Sequence, residues 1–208
     1  MTSCDQQEPK KVVFFGDSIT QAGDEDPTGY IQLMRQELDS SEYELIGAGV
    51  SGDKVPDLLA RVENIVKLNP DIVVVYIGIN DVWHFYEFEG EVGTELDQYE
   101  EGLRDIANAF RTEKRQVILC TPSVIGENPE DGTEINEQLD QYAQAVVRVA
   151  AKTGSELCDL RSDFKDYLRE NNTKNAEEGI LTTDGVHMNK EGNEFLARQM
   201  IECLVRLE

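Results

Sequence analysis

DIVVVYIGI, residues 71–79, is apolar at every position between Asp71 and Gly78 and is dominated by β-branched side chains. It shows no alternation of apolar and polar residues. Such a run predicts a strand covered on both faces, which is the environment of a central strand in a parallel sheet. Upstream, Val55, Leu58, Leu59, Val62, Ile65 and Val66 recur at helical spacing and stop before Asn69-Pro70. Before them lie a strand-like run at Tyr43–Ala48, a helical stripe through Tyr30, Leu33, Met34 and Leu38, and a β-rich run at Lys11–Gly16. Downstream the alternation continues. Leu96, Tyr99, Leu103, Ile106 and Phe110 mark a helix, Gln116–Thr121 a strand ending at Pro122, and Ile135, Leu139, Tyr142, Val146, Val149 and Ala150 another helix. Glu156–Leu160 reads as a short strand, Phe164–Leu168 as a short helix, and Lys190–Leu207 as a terminal helix. Five strands alternating with helices predict an α/β fold with a parallel sheet covered on both faces. The expected organisation is a polar tail over residues 1–10 and a single domain over 11–208.

Composition narrows the partners. Among 208 residues there are 42 Asp and Glu against 19 Lys and Arg, a formal net charge of −23. A field of that sign repels phosphate backbones and anionic lipid, so neither nucleic acid nor a membrane surface is expected as a partner. The longest apolar run, Ile72–Ile79, is far short of the ~18 residues needed to cross a bilayer. The first ten residues show no secretory signal, which favours the cytoplasm, with secretion or periplasmic export after signal removal as the alternative. The four cysteines, Cys4, Cys120, Cys158 and Cys203, lack metal-ligand spacing; the last three read as buried reduced thiols, and Cys4 sits in the polar tail. No metal is expected, and oligomeric state is left open.

In open α/β sheets ligands bind beyond the carboxyl ends of the strands. Three strand ends carry small and polar clusters: Gly16-Asp17-Ser18, Gly49-Val50-Ser51-Gly52-Asp53 and Gly78-Ile79-Asn80-Asp81. A fourth, Asp184-Gly185-Val186-His187, precedes the last helix. A serine on a strand-to-helix turn needs a base to take its proton. His187, with Asp184 three residues earlier to hold its other ring nitrogen, can serve. The N–H groups of Ser18 and Gly52 and the Asn80 amide could stabilise an oxyanion, with Gly52 expected to permit close backbone approach. Asp17, Trp83 and His84 are candidate substrate contacts. Phe85, Tyr86 and Phe88, interleaved with Glu87 and Glu89, suit a wet rim better than an apolar tunnel.

These blocks resemble the SGNH hydrolase superfamily, the GDSL-type esterases and lipases, and above all its small acetylesterase branch. The four signature residues fall on Ser18, Gly52, Asn80 and His187, with Asp184 completing the D-x-x-H element. The resemblance implies a three-layer α/β/α sandwich with a five-stranded, flavodoxin-like sheet. It also implies a serine esterase without cofactor, acting on short acyl esters such as acetylated carbohydrates through Ser18, His187 and Asp184. The alternatives are a lipase or thioesterase of the same superfamily, a non-catalytic carbohydrate-binding relative, and a metal-dependent phosphoesterase using Asp17, Asn80, Asp184 and His187.

Overall fold

A computed structural model describes residues 8–86, 93–111, 115–128 and 132–207. Its elements alternate as the periodicity predicts. They are β1 (Lys10–Gly16), α1 (Ser18–Glu25), α2 (Tyr30–Glu37), β2 (Tyr43–Gly49), α3 (Val55–Lys67), β3 (Ile72–Tyr76), α4 (Ile79–Trp83), α5 (Leu96–Phe110), β4 (Gln116–Cys120), α6 (Glu134–Thr153), β5 (Glu156–Cys158), α7 (Leu160–Asn171) and α8 (Lys190–Val205). The strands form one sheet in the order β2-β1-β3-β4-β5, all pairings parallel. Helices α3, α5 and α6 pack together on one face, and α1, α2 and α8 on the other. This is the expected flavodoxin-like α/β/α sandwich.

The chain runs from β1 outward to β2, then returns to lay β3 on the opposite side of β1. That reversal opens a crevice at the carboxyl ends of β1 and β3. All five residues of β3 are buried, as its unbroken apolar run requires. Each of its valines, 2% exposed or less, contributes about 1.5–3 kcal/mol of burial. Large aromatics lock the layers to the sheet. Phe14 meets Tyr30 on one side and Phe15 meets Phe110 on the other, each pair edge to face at 5.9 Å.

Three expectations need correction. The strand expected over residues 71–79 ends at Tyr76, because Gly78 turns the chain at φ +133° and Ile79 opens the five-residue α4. The short helix expected at Phe164–Leu168 spans Leu160–Asn171, since its buried stripe of Leu160, Phe164 and Leu168, flanked by the half-buried Tyr167, starts a turn earlier and most of the rest is charged or polar. Cys158 and Cys203 are not reduced thiols. They form a disulfide between the end of β5 and α8, whose approach brings the two Cα atoms to 5.7 Å. Cys120 is free and buried, as expected. Cys4 lies outside the described residues. No helix among the described residues is long and apolar enough to cross a membrane.

Candidate active site

The site assembles at the crevice between β1 and β3. The Asp17 side chain accepts a hydrogen bond from the Ile19 N–H at 3.0 Å and thereby caps α1, which places Ser18 in the first turn. Asp17 is 2% exposed, and burial pushes its carboxyl up to about 7 against the opposing effect of the Ile19 N–H. Ser18 itself is only partly buried, and its Oγ lies 3.0 Å from His187 Nε2.

His187 reaches the crevice from the opposite half of the chain. Its Nδ1 lies 2.7 Å from Asp184 Oδ2, while Asp184 Oδ1 accepts the N–H groups of His187 (2.7 Å) and Val186 (3.0 Å). Burial raises the Asp184 carboxyl, but these hydrogen bonds outweigh it and hold the group below the ordinary carboxylate range. An ionised Asp184 accepting from Nδ1–H leaves Nε2 as the acceptor for the serine hydroxyl. Ser18, His187 and Asp184, separated by up to 169 positions, thus form one relay.

The other two blocks converge on the same crevice. Asn80 sits in the first turn of α4, 4% exposed, and donates through Nδ2 to the Asp53 carbonyl at 3.0 Å. An amide nitrogen carries two hydrogens, so this bond uses only one of them. Gly52 lies in the turn after β2 at φ +83°. A Cβ built there would meet no protein atom within 4 Å. Glycine is favoured at residue 52 by its left-handed backbone. Close approach within the protein belongs to Gly49, where a Cβ would stand 2.2 Å from the Gln21 nitrogen and 2.5 Å from the Asp17 carbonyl.

Two of the expected substrate contacts are enclosed. Asp17 is spent on the cap, and His84, 7% exposed, is buried at the end of α4. Trp83, the third, is half-buried with its ring edge to the His187 ring at 6.2 Å, beside the relay. Phe88, Glu87 and Glu89 fall outside the described residues. Among the described residues no group of three or more His, Cys, Asp or Glu side chains is disposed to hold a metal ion.

One organising residue escaped the reading of the sequence. Arg61, on α3, grips the Asp53 carboxylate at 2.7 Å and donates to the carbonyls of Ala48 and Gly16 at 2.8 Å each. It also lies over the Phe15 ring, 4.5 Å from its centroid. One guanidinium therefore ties the ends of β1 and β2 to the turn that holds Asn80. Its only signal in sequence was an arginine eight residues after Asp53, two turns along a helix face.

The likeness to known proteins extends beyond this crevice. Residues 14–195 match the model of the GDSL-like lipase/acylhydrolase family. An acetylxylan esterase of Geobacillus stearothermophilus is 33% identical over 92% of this chain and 92% of its own length. A Rattus norvegicus homolog of isoamyl acetate-hydrolyzing esterase 1 is 27% identical over 89% of this chain and 78% of its own. The crystal structure of an acetyl xylan esterase, AlAXEase, superposes with a TM-score of 0.89 at 40% identity, covering 93% of this chain and 99% of that one. The four sequence blocks, the parallel sandwich and these relatives agree, and the chain belongs to the GDSL-like lipase/acylhydrolase family, as a carboxylic ester hydrolase of the SGNH type.

Proposed function

We propose that this enzyme is a serine esterase that removes short acyl groups, acetyl above all, from carbohydrate esters through an acyl-enzyme. The observation that carries the reading is the unbroken contact Ser18 Oγ–His187 Nε2–Nδ1–Asp184 Oδ2. Ser18 attacks the ester carbonyl while His187 takes its proton, and Asp184 fixes the ring and stabilises the imidazolium. The developing oxyanion is met by the N–H groups of Ser18 and Gly52 and by the second hydrogen of Asn80. His187 then returns the proton to the departing alcohol and next activates the water that releases the acyl group. No cofactor enters this scheme.

Acetyl specificity is supported by the acetylxylan esterases among the relatives and by Trp83, an aromatic face beside the relay. The −23 charge works against phospholipid and coenzyme A thioester substrates. The Cys158–Cys203 bridge supports an oxidising compartment, and with it secretion or export over the cytoplasm.

The test is a hydrolysis panel crossing acyl length with alcohol type, run on the wild type and on Ser18→Ala. Ser18→Ala should fall to near background while remaining folded; a residual rate above about a tenth of wild-type kcat would remove the nucleophile from the scheme. Acetate esters should outrun octanoate esters in kcat/KM. A tenfold preference for octanoate, about 1.4 kcal/mol of transition-state binding, would make the enzyme a lipase or thioesterase instead.

A further inference from the structure

Glu127 stands in the connection after β4 and is 0% exposed, in a chain whose 42 acidic residues are otherwise mostly solvated. A buried carboxylate is costly unless its oxygens are hydrogen-bonded. Among the described residues its side chain has no cationic partner and takes four neutral donors, all from one short segment. Oε2 accepts the Ile180 N–H at 2.7 Å. Oε1 accepts the Leu181 N–H (2.6 Å), the Thr182 N–H (2.5 Å) and the Thr182 hydroxyl (2.8 Å). Three consecutive backbone N–H groups turned toward one carboxylate form an anion-binding concavity. Here the anion is supplied by the chain itself.

The segment so gathered leads directly into Asp184 and His187. Thr182 relays the contact, since the hydroxyl that donates to Glu127 also accepts the Gly185 N–H at 3.0 Å. The next residue, Thr183, donates its N–H to the His187 carbonyl at 2.8 Å. The backbone around Glu127 repeats the grip. Gly126 N–H donates to the Gly185 carbonyl at 2.8 Å, Glu127 N–H to the Glu177 carbonyl at 2.9 Å, and Asn172 Nδ2 to the Glu127 carbonyl at 2.8 Å. Within residues 172–189 the only β-pairing is the single Thr182–Met188 bridge. Glu127 is thus one of the groups that hold the segment carrying His187.

We propose that Glu127 is a positioning residue for the acid–base pair, its carboxylate setting the path of residues 180–187 and so the distance of His187 Nε2 from Ser18. The inference rests on the reading of Ser18, His187 and Asp184 as the reacting relay. Glu127→Gln tests it, because the amide keeps the volume but removes the charge and turns an NH2 group against donors. With p-nitrophenyl acetate, kcat should fall about 10- to 100-fold while KM stays within about twofold, the signature of a displaced reacting group. In the folded variant the low-field proton resonance of the His187 Nδ1–H bridge to Asp184 should shift. A kcat within about twofold of wild type would overturn the proposal, as would a fall in kcat with that resonance unmoved. Should Glu127→Gln fail to fold, Thr182→Val removes the hydroxyl relay alone and carries the same readouts. An unchanged kcat and resonance there would be equally fatal. If Ser18→Ala stays active, the relay itself is wrong; if Ser18→Ala is dead and Glu127→Gln is unaffected, only the role of Glu127 falls.

Discussion

Ser18 stands where the buried strand β1 runs into α1, whereas His187, 3.0 Å away, stands on residues 172–189, which contain no helix and one isolated bridge. On the serine side, position follows from the sheet. Strand β1 is paired with β2 along its length and with β3 from Val12 to Gly16, Asp17 caps the helix, and Arg61 and Asn80 pin the flanking turns. On the histidine side, position follows from side chains reaching backbone: Asp184 to two N–H groups, Glu127 to three, Asn189 to the Thr182 carbonyl. Secondary structure places one partner and a polar network places the other. The second arrangement concentrates many contacts on few atoms, so single substitutions there should reach further into the chemistry.

Short of removing the nucleophile itself, the largest effect should come from the histidine side. Asp184→Asn keeps the shape but offers a donor to Nδ1 or forces the wrong tautomer, and kcat should fall by about 10⁴. Because Asp184 is about half exposed, the melting temperature should move little; steady-state kinetics beside a thermal melt would show whether activity and stability separate as described. On the serine side, Asn80→Ala removes the proposed side-chain oxyanion donor and should lower kcat about 10²–10³-fold with KM nearly unchanged. A change confined to KM would make Asn80 a ground-state contact and leave the oxyanion to the two N–H groups.

The effect smallest on turnover, and felt in stability, concerns pH, and here the two sides should respond with opposite sign. Burial raises the Asp17 carboxyl to about 7, so between about pH 4 and 7 the native state holds a proton that the unfolded chain has lost. Its contribution to stability is therefore present at low pH and declines as pH rises through that window. Asp184, held below its ordinary range, contributes at neutral pH and loses that contribution on acidification. Asp17→Asn, which retains an acceptor for Ile19, should gain on the wild type by about 4 kcal/mol in going from pH 4 to pH 8. Denaturant unfolding at both pH values measures the difference. Equal gains at the two would show that the Asp17 carboxyl is ionised throughout.

What the sequence disclosed follows the same division. The helices α3, α5 and α6 and the central strands were legible because hydrophobic period reports directly on which face is buried. Ser18, Gly52 and Asn80 stood out because they cluster at strand ends, and Asp184 and His187 because a D-x-x-H spacing precedes the last helix. The short α4 was hidden because its five residues are too few to show a helical period and its first, Ile79, closes an apolar run that reads as strand up to the turn at Gly78. Arg61 and Glu127 were hidden because a charged side chain in sequence looks the same whether water or backbone satisfies it. The disulfide was hidden because cysteines 45 residues apart carry no local pattern, and their pairing depends on how α8 lies across β5.

That bridge divides the chain by topology. Residues 158–203 form a covalent ring, and Asp184 and His187 lie inside it while Ser18, Gly52 and Asn80 lie outside. Closing a ring of this size removes about 4 kcal/mol of entropy from the denatured chain in the polymer model. The benefit falls on the segment that regular structure supports least. When the network around Asp184 opens under heat or denaturant, the histidine stays leashed to the sheet edge, within reach of its serine partner. Reduction would release the leash without touching a reacting atom, so this enzyme's resistance to inactivation should depend on its redox surroundings far more than its turnover does.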